Sequence, residues 1–192
     1  MKIIFASHNK NKVNEIQSLL GDEIELLSLT KLGPMEDIPE TANTIEGNSL
    51  LKAKFIWENY HTTCFADDTG LEIEALNGEP GVFSARYAGE EKNDGANIQK
   101  VLDKLGNITQ RNARFKTVIT LILNDNHIQF TGIVKGTIGL QKKGLNGFGY
   151  DPIFYPEQEN RTFAEMTLNE KNKYSHRAKA FSQLVEYLNS LM

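Results

Sequence analysis

The stretch "KIIFASHNKNKVNEIQSLLG", residues 2–21, decides the fold class. Its opening, "KIIFAS", is a short apolar run of the kind that forms a buried strand. Val13, Ile16, Leu19 and Leu20 then recur at helical spacing, and Gly21 is a fitting stop. A second apolar run, "IELLSL" (24–29), follows. Strand, turn, helix, strand is the opening of an α/β domain.

The rest of the chain extends that pattern. "TKLGPMEDIPE" (30–40) reads as a loop because Gly33, Pro34 and Pro39 punctuate it. A helix is expected over 44–60, with Leu50, Leu51, Ala53, Phe55 and Trp57 on a broad apolar face and Gly47 weakening its first turn. "TTCFA" reads as a buried strand run, followed by an acidic turn, "DDTG" (67–70), and then "LEIEAL". "NGEPGVFSARYAGEE" (77–91) reads as a surface loop, and a helix over about 93–105 turns Ile98, Val101, Leu102 and Leu105 inward. "ARFKTVITLIL" (113–123) is rich in β-branched residues and returns through "NDNH" into "IQFTGIVKGTIGL" (128–140), a long antiparallel hairpin. A glycine-rich loop, "KGLNGFGYDPIFYP", leads to an amphipathic C-terminal helix lined by Ala178, Phe181, Leu184, Val185, Leu188 and Leu191. One α/β domain over 1–192 with a mixed sheet is the economical reading.

Composition narrows the function classes. The lone Cys64 excludes an internal disulfide and, between Thr63 and Phe65, reads as a core thiol in a reducing compartment. "MKIIFAS" is too short for a signal peptide, and no run approaches the ~18 apolar residues of a membrane span. A cytoplasmic protein is therefore expected. The net charge of −4 argues against broad attraction to nucleic acid, so an anionic ligand needs a local basic site.

Four constellations could carry chemistry. "SHNKNK" (7–12) lies where a strand meets a helix, the place where backbone N–H groups bind anions or accept an ordinary cap. It lacks the glycines and Lys-Ser/Thr pair of a Walker A loop. Glu40, Glu46, Asp67 and Asp68 are hard oxygen ligands suited to Mg²⁺, although Asp-Asp-Thr-Gly is also good turn chemistry. The four histidines, 8, 61, 127 and 176, are too scattered for zinc. "GLNGFGYDP" (144–152) combines three glycines with Phe148, Tyr150 and Asp151, able to approach, stack on and bond a planar base, or simply to connect two elements. Its spacing is not that of a Rossmann site. Finally Lys171, Lys173, His176, Arg177 and Lys179 gather about the start of the last helix, where positive charge opposes the dipole unless an anion or polar ligand sits there. A phosphate cradle, carboxylates for Mg²⁺ and a base-binding loop make the inventory of a nucleotide-hydrolysing site.

The segments "SHNKNKVNEI", "PETANTIEGNSLLKAK", "ADDTGLEIEALNGEPGVFSARYAG", "GFGYDPIF" and "EKNKYSHRAKA" occur in series from 7 to 180. In this the chain resembles the inosine/xanthosine triphosphate pyrophosphatase family. The resemblance implies an elongated α/β fold with a long mixed sheet flanked by helices, two lobes with a cleft between them, and a homodimer. It implies Mg²⁺-dependent hydrolysis of ITP, dITP and XTP to the nucleoside monophosphate and pyrophosphate, cleansing the nucleotide pool, with no nucleic-acid or membrane partner. By motif, Ser7, His8, Asn9, Lys10, Asn11, Lys12 and Lys52 would hold the triphosphate. Asp68 would bind metal and accept the proton of the attacking water, with Asp67 and Glu40 as metal-side carboxylates. Thr69 would contact substrate, while Phe148, Gly149, Tyr150, Asp151, Lys171, His176 and Arg177 would hold the purine and sugar.

Selectivity is expected at the purine 6-position, where backbone N–H groups of "GFGYD", or Arg177, would meet a 6-oxo acceptor. The related septum-inhibitor-like pyrophosphatases, acting on modified pyrimidine nucleotides, and a sensor without turnover are the alternatives. "GFGYDP" and "SHRAKA" argue against the first, and Asp67-Asp68 with the lysines against the second.

Overall fold

The computed structural model describes residues 2–19, 24–29 and 38–191. Leu20, Gly21 and most of the loop expected at 30–40 lie outside the described residues. Among the described residues six strands form one sheet in the order β2-β1-β3-β4-β5-β6, where β1 is Lys2–Phe5, β2 Glu25–Ser28, β3 Cys64–Ile73, β4 Asn112–Leu123, β5 Asn126–Ile138 and β6 Phe154–Pro156. Among the described residues the α-helices are α1 Lys10–Gln17, α2 Ile45–Tyr60, α3 Asp94–Leu105, the single turn α4 Leu168–Lys171, and α5 His176–Asn189. β1 pairs in parallel with both β2 and β3, and β5 pairs antiparallel with β6, so the sheet is mixed as expected. The short strand β6 is an addition, hidden in sequence by its glycine-rich surroundings.

The chain divides into two compact units: 1–68 with 117–132 and 177–192, and 69–116 with 133–176. In the first, strand residues alternate between two apolar clusters. Ile3, Phe5, Phe65, Ile119 and Leu121 pack with Ile16 of α1 and with Phe181, Leu184 and Leu188 of α5. Ile4, Ala6, Cys64, Ala66 and Ile122 pack with Ala53 and Ile56 of α2. Strands buried on both faces account for the unbroken apolar runs. The second unit has its own core, in which Phe115, Phe154 and Phe163 pack with Ile98, Val101 and Leu105 of α3.

Local chemistry sets the element boundaries. Thr44 caps α2 by accepting from the Gly47 N–H, and Asn93 caps α3 by accepting from the Ala96 N–H. Asn124 and Asp125 join β4 to β5 with φ of 49° and 63°, the pair of left-handed residues that a two-residue hairpin turn requires.

Two expectations change. Asp67 to Gly70 are not a turn: β3 runs unbroken through them. Both carboxylates meet cations from distant parts of the chain, which removes the repulsion a turn would have relieved. The inner face of α2 is also more polar than its pattern implies. Asn48, Ser49 and Lys52 are buried, while Leu51 is 39% exposed. Ser49 Oγ donates to the Ala66 carbonyl and shares a 2.8 Å hydrogen bond with Thr120, so Ser49 is satisfied by β3 and β4.

Candidate active site

Asp67 and Asp68 sit side by side on β3 and have different surroundings. In the first unit, Lys12 Nζ lies 2.9 Å from each Asp67 oxygen, and Arg177 Nε lies 3.3 Å from Oδ2. Arg177 is 1% exposed, and its Nη1 donates to Glu15, itself buried on α1. Burial alone would raise the Asp67 carboxyl, but Lys12 and Arg177 outweigh it and hold it well below the usual carboxylate range. Asp67 is thus a fixed anion between two cations.

Asp68 faces Lys52. Lys52 Nζ donates to Asp68 Oδ1 at 3.1 Å and to Glu40 Oε1 at 2.5 Å. Asp68 Oδ2 is buried with no hydrogen-bond partner. Burial raises the Asp68 carboxyl, and Lys52 offsets this only in part. Two adjacent aspartates are driven in opposite directions, the pattern that separates an electrostatic anchor from a base.

The turn before α1 contributes less backbone than expected. Asn9 Oδ1 accepts from the N–H groups of Asn11 and Lys12 at 3.0 and 3.3 Å, and Ser7 Oγ accepts from Asn9 N–H at 3.2 Å. Asn9 is therefore the cap, and the donors it occupies are not open to an anion. Lys10 is exposed, Lys12 reaches the acidic pair, and the Nε2 atom of His8 is buried without a hydrogen-bond partner.

The second unit holds the other group of expected residues. Asp151 Oδ2 accepts from the Phe148 N–H at 2.9 Å and from Lys171 Nζ at 2.6 Å. Lys171 Nζ lies 5.0 Å from the centre of the Phe148 ring, a cation–π contact. Tyr150 donates its hydroxyl to the Ser84 carbonyl at 2.8 Å. His176 is buried and stacks on Phe115, with ring centres 4.5 Å apart. Thr69 is half-buried on β3.

The basic cluster near the last helix separates accordingly. Lys173 and Lys179 are exposed, Lys171 and His176 belong to the second unit, and Arg177 turns to Asp67 in the first. Arg177, expected at the purine end, donates to Asp67 and Glu15. The loop N–H groups expected to read the base are donated to carboxylates at Phe148 and Gly149. Sequence reasoning missed Glu15. A glutamate beside Ile16 on an exposed-looking helix gives no sign that a residue 162 positions away pairs with it.

The residues suit Mg²⁺ as a shared ligand rather than a caged one. Among the described residues no three His, Cys, Asp or Glu side chains converge as a metal site. Asp68 Oδ2 is nevertheless an orphaned buried acceptor, beside a second carboxylate, Glu40. One or two carboxylates, with phosphate and water completing the shell, is how proteins commonly hold Mg²⁺. Asp67, expected on the metal side, has both oxygens taken by cations.

Fold and centre together define a mixed α/β protein built around a buried carboxylate–cation cluster. The chain belongs to the Ham1 family, whose model matches residues 3–187. The dITP/XTP pyrophosphatase of Flavobacterium psychrophilum is 57% identical over 187 residues, covering 97% of this chain and 98% of its own. That of Porphyromonas gingivalis is 50% identical over 188 residues, covering 97% of each. The solved Ham1 protein of Staphylococcus aureus superposes with a TM-score of 0.91 at 42% identity, covering 100% of both chains. The HAM1 protein of Coxiella burnetii gives 0.91 at 41% identity, covering 99% of each.

Proposed function

We propose that this chain hydrolyses the non-standard purine nucleoside triphosphates dITP, ITP and XTP to the nucleoside monophosphate and pyrophosphate. The observation that carries the reading is the division between Asp67 and Asp68, one locked by cations and the other basic with an open oxygen. Relatives more than half identical along nearly the whole chain carry the name dITP/XTP pyrophosphatase.

Asp68 takes a proton from the water that attacks the α phosphorus, since it is the carboxylate of the pair that is not locked between Lys12 and Arg177. Lys12 and Lys52 meet phosphate oxygens, and the α–β anhydride bond breaks with pyrophosphate leaving. Bound Mg²⁺, held by Asp68 and Glu40, would neutralise charge on the phosphoryl oxygens. Asp67 is assigned to fixing Lys12 and Arg177 rather than to the metal. Phe148, Lys171 and His176 are assigned to the purine. The reading carries with it a cytoplasmic homodimer, which sedimentation of the purified protein tests.

The functional test is product analysis with ITP, dITP, XTP, ATP and GTP in the presence of Mg²⁺. The first three yield monophosphate and pyrophosphate. Release of orthophosphate, or equal turnover of ATP, sinks the reading. Asp68→Asn should lose at least about 100-fold in kcat while keeping the wild-type circular dichroism spectrum.

A further inference from the structure

We infer that Asp94 is a positioning residue that fixes the glycine-rich loop through the Gly149 N–H and thereby sets affinity for the purine end of the substrate, an inference that rests on the function proposed above. Gly144, Gly147 and Gly149 adopt φ of 82°, 74° and 58°. Three glycines in left-handed backbone give the loop freedom that must be removed before it can present a ring in one place.

Most of the loop is held by buried groups. Leu145 and Asn146 donate their N–H groups to the Ala164 carbonyl at 3.1 and 3.0 Å. At Gly147 the space is filled, since a Cβ there would lie 2.1 Å from Asp151 Oδ2. Gly149 is different, because a Cβ there would meet nothing within 4 Å and packing does not restrain it. Its N–H is instead donated over 2.7 Å to Asp94 Oδ2, a residue 55 positions away.

Asp94 is well placed for this. It is the first residue of α3, where the helix dipole favours a negative side chain. Asn93 already caps the helix, so Asp94 is not needed as the cap. Asp151 and Asp94 thus take the N–H groups of the consecutive residues Phe148 and Gly149. The Phe148 ring, set between Gly147 and Gly149, is held over Lys171 by this clamp. In sequence Asp94 shows only as an acidic residue in a first helical turn, with nothing to connect it to the loop.

Because Asp94 is exposed, its removal spares the core. The experiment compares wild type, Asp94→Ala and Asp94→Asn by amide hydrogen exchange at Gly149 without substrate, by thermal stability, and by steady-state kinetics on dITP. Asp94→Ala is expected to speed exchange at Gly149 and raise KM about tenfold, with kcat and Tm nearly unchanged. Asp94→Asn keeps an acceptor oxygen and should recover most of the KM. Unchanged exchange at Gly149, or an unchanged KM in Asp94→Ala, overturns the inference. A wild type that turns over no purine triphosphate overturns the function and the affinity claim together. The exchange result needs no substrate and tells that failure from a failure of the anchor itself.

Discussion

Asp67 and Asp68 share a backbone and a residue type, yet they do different work because different cations reach them. Asp67 is buried between Lys12 and Arg177, whereas Asp68 shares Lys52 with Glu40. Replacing Asp67 by Asn removes the carboxylate that Lys12 and Arg177 share, leaving Arg177 paired with Glu15. That should cost about 3–5 kcal/mol, read by denaturant unfolding near neutral pH. The pH dependence has a definite sign. The folded Asp67 carboxyl is depressed, so its stabilisation is complete above the ordinary aspartate value of about 3.9 and is lost as pH falls through the lower folded value. The gap between wild type and Asp67→Asn should therefore be flat at neutral pH and close in acid. A gap that widens in acid would contradict the assignment. None of this was legible locally. "ADDTG" has turn chemistry, and Lys12 and Arg177 lie 55 and 110 residues away from Asp67.

The elements themselves were largely readable, since periodicity and caps are local signals. The first strand, the hairpin and the helices α1, α2, α3 and α5 appear where apolar spacing and cap residues place them, while the single turn α4 is not among the expected elements. β3 is the exception, because its continuity depends on ion pairs that only the folded chain supplies. The polar inner face of α2 was hidden in the same way, since Ser49 and Lys52 find their partners on β3, β4 and at Glu40. Gly47 shows how an element rule yields to its neighbours. By propensity alone, Ala at this helical position gains roughly 1 kcal/mol over Gly. Here a Cβ would lie 2.6 Å from Ala42 Cβ and 2.9 Å from Thr44 Oγ1, the capping oxygen. Gly47→Ala should accordingly lower stability by about 1–3 kcal/mol instead of raising it. The double variant Ala42→Gly/Gly47→Ala, which removes the nearest of the colliding atoms, should regain part of that loss in thermal unfolding.

At the scale of the whole molecule, the expected site residues fall into two groups of different character. Lys12, Lys52, Asp68 and Arg177 belong to the first unit and form a charged centre suited to phosphate and Mg²⁺. Phe148, Lys171 and His176 belong to the second and offer a ring, a buried ammonium and a stacked imidazole, groups suited to a purine. The two roles can be separated by ligands that carry one end of the substrate only. Inorganic tripolyphosphate with Mg²⁺ presents the phosphates without a base, and dITP presents both. A ligand that binds the folded state alone raises stability by about 2.7 kcal/mol at one hundred times its Kd, so thermal shifts report each contact set. Lys12→Ala should abolish the shift with tripolyphosphate and weaken that with dITP. Lys171→Ala should leave the tripolyphosphate shift intact and reduce only the extra shift that dITP provides. Loss of the tripolyphosphate shift in a folded Lys171→Ala protein would mean that the second unit's lysine serves the phosphates, and the division of labour drawn from burial and partners would have to be reversed.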